Sequence, residues 1–139
     1  MSGLSHLQRV IASRSIDQLA ADWLVDALVR WHRADGDGSL LLRVMGIPTT
    51  AAKRRLACRD LWLCAAAARY GDVDLGMRAR LLCSAASRFA LRKWPAWADL
   101  PEAPDHATDI ERDLFRACQA APLPTSERML HNILQEAFT

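Results

Sequence analysis

The run LWLCAAAA, residues 61–68, constrains this chain more than any other stretch. It carries no charge on any side and lies within a segment of helical periodicity. A helix that is apolar all round is stable only when surrounded, so it is expected as a central helix, its alanines letting neighbours approach closely. The 139 residues suffice to surround it, since a chain of this size buries about two-thirds of the surface its unfolded form exposes. About half the residues are apolar and a quarter charged, a globular composition rather than a disordered one. No apolar run approaches the roughly 20 residues of a membrane span.

No segment alternates as a strand would, and the periodicity predicts six or seven helices. A short one covers residues 4–12. A longer one covers 15–34, with Ser15 as its cap and Ile16, Ala20, Trp23, Leu24, Ala27, Leu28 and Trp31 on one face. A third covers 39–45 and stops at Gly46. The helix holding the uncharged run covers 50–70, between Thr49 as cap and Gly71 as stop. A fifth covers 73–93. The stretch WPAWADLPEAPDHA reads as an ordered loop, its three prolines opposing a helix. Thr108 and Glu111 fit a capping box opening a helix to residue 121, and Ser126 can cap a last helix to 137. The expected fold is a compact all-α bundle, a single domain over residues 1–139.

Charge is unevenly placed. Residues 43–93 hold 11 basic and 3 acidic side chains, whereas residues 94–139 hold 3 basic and 8 acidic. A basic centre suggests an anionic partner; equally, the acidic C-terminal part can fold back and neutralise it.

The segment DGDGSL, residues 35–40, matches the centre of a calcium loop, with Asp35, Asp37 and Gly38 in register. Arg33 and Val44 then fall where the first and last ligands belong. A turn in front of a helix N-terminus is the better account of these residues.

The stretch SLLLRVMGIPTTAAKRRL, residues 39–56, resembles the helix-turn-helix of bacterial and phage repressors. Gly46 stands as the turn glycine, Ile47 as the aliphatic plug, and Ala52 and Leu56 where the second helix packs inward. Glycine suits such a turn because it permits a left-handed backbone. The resemblance implies that Thr49, Thr50, Lys53 and Arg54 face DNA, with Arg55 and Arg59 on the phosphate backbone. Alternatively, GIPTT is a connecting turn and its arginines a solvated face. Arg80, Arg88, Arg92 and Lys93 form a second basic face.

No nucleophile elbow, phosphate loop or acid pair is present, so no enzyme and no cofactor is expected. His6, His32, His106 and His131 are too scattered for a zinc site, and no metal is expected. Cys58, Cys64, Cys83 and Cys118 lack disulfide or C-x-x-C spacing, which with an N-terminus unlike a secretion signal suggests a reduced, cytoplasmic protein. Asp60 is expected to pair with a nearby arginine. Trp94 and Trp97 are expected to anchor their loop to the core rather than stack on bases. Two functions compete: a small nucleic-acid-binding, repressor-like regulator that can form a homodimer, or a protein–protein interaction module (an adaptor, an inhibitor or the small subunit of a larger nucleoprotein assembly).

Overall fold

The computed structural model describes residues 2–138, and every regular element in them is an α-helix. There are eight: α1 (Gly3–Ser13), α2 (Gln18–Arg33), α3 (Gly38–Val44), α4 (Ala51–Ala68), α5 (Leu75–Arg92), α6 (Trp94–Trp97), α7 (Asp109–Ala120) and α8 (Glu127–Phe138). They group into two compact units, one up to Ala57 and one from Cys58, and α4 runs through the boundary.

Side-chain oxygens set most helix starts, because the first amides of a helix have no backbone partner. Asp17, Asp37 and Asp74 accept from the amides of Ala20, Leu40 and Met77 at 2.8, 2.9 and 2.7 Å. Asp17 therefore caps α2 in place of the expected Ser15, which lies in the turn and donates its hydroxyl to Ser13. Thr50, one residue after the expected Thr49, caps α4 by accepting from Lys53. Thr108 and Glu111 form the capping box read from the sequence, and the Ser126 hydroxyl accepts from the amide of Met129. The eighth helix, α6, replaces part of the expected loop. Pro95 occupies its first turn, where a missing amide hydrogen costs nothing.

In the unit up to Ala57, α2 packs on α1 and α3. Its buried apolar residues are few and mostly small: Leu4, Ala20, Ala27 and Ile47. Polar bonds to backbone do much of the joining. The indole of Trp23 donates to the carbonyl of Met45 and that of Trp31 to Asp37, both at 2.8 Å, and Arg30 donates to Val44 at 3.1 Å. The ring of His6 stacks on Trp23, centroids 5.1 Å apart. Gly3 is seated so tightly on the turn after α3 that a Cβ there would lie 1.6 Å from the Met45 carbonyl oxygen.

The unit from Cys58 has a conventional core. α5 packs on α6, α7 and α8 around Leu63, Leu82, Leu114, Phe115, Leu130 and Leu134, all fully buried. The uncharged run contributes Leu63, Ala66 and Ala67 to this core, while Leu61, Trp62, Cys64 and Ala65 are half-buried and Ala68 is exposed. It is therefore covered on one side rather than all round. Part of the reason is that the Arg116 guanidinium lies over the Trp62 ring at 4.7 Å, a cation–π cover that lets an aromatic ring sit near the surface.

Two buried charges tie this unit together. Asp113, on α7, accepts from Arg69 at 2.6 Å. Arg78, on the inner face of α5, donates to the carbonyls of Ala67, Gly71 and Val73 at 2.7–3.2 Å, adding charge-assisted bonds at the end of α4 and the turn after it.

Candidate functional site

The turn between α3 and α4 has some features of the expected DNA-reading unit and lacks others. Gly46 adopts φ +72°, the left-handed conformation that favours glycine, and Ile47 is buried beneath the turn. Ala52 and Leu56, expected to pack inward, are exposed instead, Leu56 by 46%.

The residues expected to touch DNA fall into two groups. Thr49, Thr50, Lys53 and Arg55 are exposed. Arg54 is half-buried and donates to the Pro48 carbonyl at 3.1 Å. Arg59 has a side chain only 11% exposed, paired with Asp60 at 2.8 Å and donating to Pro122 at 2.9 Å. That pair is the one expected for Asp60. Among the described residues, Lys53 and Arg55 are thus the cations of this group with no side-chain hydrogen bond or ion pair.

In the unit from Cys58, the acidic C-terminal part does fold back on basic groups of the middle segment. Arg69 pairs with Asp113 and Asp109, Arg80 approaches Glu127 at 4.0 Å, and Lys93 approaches Glu111 at 3.9 Å. Among the described residues, Arg88 and Arg92 have no such carboxylate. They line a groove between α5 and the start of α7.

Trp94 and Trp97 point inward, as the anchor reading expects. Trp97 meets Phe89 edge-on at 5.8 Å and Trp94 meets Phe115 edge-on at 5.7 Å, and the Lys93 ammonium lies 5.5 Å from the Trp97 ring. Asp37, in the segment resembling a calcium loop, spends its carboxylate on the amide of Leu40 as the cap of α3. Cys64 and Cys118 are half-buried, and burial pushes their thiols up to about 11 and about 12. They stay protonated and weakly nucleophilic at neutral pH.

The sequence reading placed Leu28 on the covered face of α2, and the structure exposes it. At about 100° per residue, Ala21, Val25, Leu28 and His32 share one strip of the helix, with Val29 at its edge. Val25 is 59% exposed, Leu28 41% and Val29 39%. The missed signal was available: α2 has apolar residues on two sides, and Ala20 and Ala27, which pack tightly, mark the covered one.

No protein-family model, curated protein or solved structure matches this chain.

Proposed function

We propose that this chain is a protein–protein interaction module that works by binding rather than by chemistry, and that its contact surface is the exposed strip of α2. One observation carries the reading: Val25, Leu28 and Val29 form a continuous uncovered apolar strip on a helix whose other side is already packed. Adjoining exposed apolar residues of this kind mark contact surfaces on small domains.

The charge layout of α2 favours a second copy of the chain as the occupant. Asp17 and Asp22 lie before or in its first half, Asp26 lies at its middle, and Arg30, His32 and Arg33 lie in its last turn. Asp17 is held by Arg9, and Asp26 by Arg30 at 2.9 Å. Asp22, which accepts from the Gln18 side-chain amide at 2.7 Å, and Arg33 have no oppositely charged partner among the described residues. Two α2 helices packed antiparallel bring Asp22 of each copy towards Arg33 of the other, with Val25 and Leu28 at the centre. Such a contact is isologous and closes on itself as a two-fold dimer.

Analytical ultracentrifugation of the wild type and a Val25→Glu/Leu28→Glu variant tests this. The wild type is expected at twice the 15.5 kDa chain mass and the variant at the chain mass with unchanged helicity. A wild type still monomeric at about 1 mM, where a pairing energy of only about −4 kcal/mol would show, overturns the self-pairing reading.

A second reading, duplex binding through the turn at residues 39–56, is favoured by the exposure of Thr49, Lys53 and Arg55 together with the Gly46 and Ile47 geometry. Two free cations neutralising two phosphates would give about a tenfold loss of affinity between roughly 50 and 200 mM salt. A fluorescence-polarisation titration with mixed-sequence duplex, repeated on Lys53→Ala/Arg55→Ala, decides it. The interaction-module reading expects no duplex binding at the lower salt.

A further inference from the structure

We propose that the groove between α5 and α7 binds a small organic carboxylate with a compact apolar body, held by Arg88 and Arg92. The groove has a volume of about 400 Å³, within the range of small-molecule sites. On α5, Ala85, Arg88, Phe89 and Arg92 follow a helical spacing that puts them on one side. The facing wall is the first turns of α7, where Ile110 and Leu114 supply apolar surface. Phe89 and Leu114 are almost wholly buried, so the floor is closed and apolar while the rim is cationic.

The charges at that rim are unequal. Arg88, Arg92 and Lys93 contribute three positive charges and Glu111 one negative charge. Glu111 is already engaged: its Oε1 accepts from the Thr108 amide at 3.0 Å, and its Oε2 lies 3.9 Å from the Lys93 ammonium. Arg88 and Arg92 make no ion pair or hydrogen bond among the described residues. They stand one helical turn apart, so both guanidiniums border the same opening and a single carboxylate can accept a forked pair of donors. The field of Arg88 also reaches Tyr70, which lines the groove: burial raises the phenol pKa and Arg88 opposes the rise.

Two features select the ligand class. The apolar floor rewards a body that leaves water, which a bare inorganic anion lacks. The two unpaired guanidiniums offer planar forks of donors, which match the geometry of a carboxylate.

Calorimetric titration of the full chain with naphthoate, naphthylmethanol and inorganic phosphate tests each element, with amide NMR shifts to locate the site. Naphthoate is expected to shift the amides of Phe89, Arg92 and Glu111. It should bind about tenfold or more tightly than the alcohol, and lose about that factor in Arg88→Gln/Arg92→Gln. An Arg55→Gln control, in the other unit, should bind as the wild type does. Both arginines are exposed, so an unchanged melting temperature confirms that the double variant is folded. Equal binding of the alcohol, tighter binding of the phosphate, shifts elsewhere, or an unaffected double variant would each overturn the proposal.

Discussion

The two units of this chain are built by different means. The unit from Cys58 buries leucines, two phenylalanines and a tryptophan in one contiguous core. The unit up to Ala57 buries two alanines, one leucine and one isoleucine, and leaves Ile11, Ile16, Leu19, Val25, Leu28 and Val29 largely in water. What joins its helices is a set of directed bonds from Trp23, Arg30 and Trp31 to backbone carbonyls. A hydrogen bond contributes only about 1 kcal/mol net, whereas burying one large apolar side chain contributes about 1.5–3 kcal/mol. The first unit therefore holds its shape by geometry, with apolar surface left over, and the second by burial.

Breaking the core should give the largest effect. Phe115→Ala removes a fully buried ring from the second unit and is expected to cost about 3–5 kcal/mol, read as a lower denaturant midpoint at unchanged slope. A loss below about 1 kcal/mol would mean that the burial there is not carrying stability.

Gly3→Ala strikes the first unit where it depends on close approach. The added methyl collides with backbone rather than with a movable side chain, so a loss of about 1–3 kcal/mol is expected. Hydrogen exchange should place that loss in α1 and in the turn after α3. Unchanged protection in both would remove the seating of Gly3 from the comparison.

Trp23→Phe keeps the aromatic contact with His6 but deletes the donor to Met45. About 1 kcal/mol or somewhat more is expected, since the carbonyl loses its partner. Amides of α3 should exchange faster while those of α8 do not change.

Alkaline pH acts on the second unit. The thiols of Cys64 and Cys118 ionise near 9 when unfolded, and at about 11 and about 12 when folded. A folded value above the unfolded one means the stabilisation is complete below pH 9 and is lost as pH rises towards the folded values. Denaturant midpoints measured from pH 8 to pH 10 should begin to fall above pH 9, and less so in a Cys64→Ala/Cys118→Ala variant.

The sequence announced the helices well and their surroundings less well. Helical periodicity located seven of the eight helices because amphipathic patterning is a local property. The capping box at Thr108 and Glu111 was legible for the same reason. The aspartate caps were harder: Ser15 and Asp17 are both good caps two residues apart, and only the backbone decides between them. α6 was missed because proline opposes a helix interior but not a first turn. Side-chain commitments were the least legible. Nothing local reveals that Arg54 turns back to Pro48 or that Arg59 reaches Pro122, so the basic centre looked more available than it is. Arg78 was the exception that could have been found. It lies among Leu75, Ala79 and Leu82 on the apolar side of its helix, and a lone arginine there has to find acceptors indoors.

That arginine also links two helices in time. The carbonyls of Ala67, Gly71 and Val73 take a charged donor that lies eleven, seven and five residues further along the chain. The amides of Tyr70 and Val73 already close the Ala67 and Gly71 carbonyls locally, so the arginine adds a clamp across the turn once the first turn of α5 has wound. During synthesis, a nascent chain that stops short of Arg78 has the helix end but not the clamp that joins it to α5.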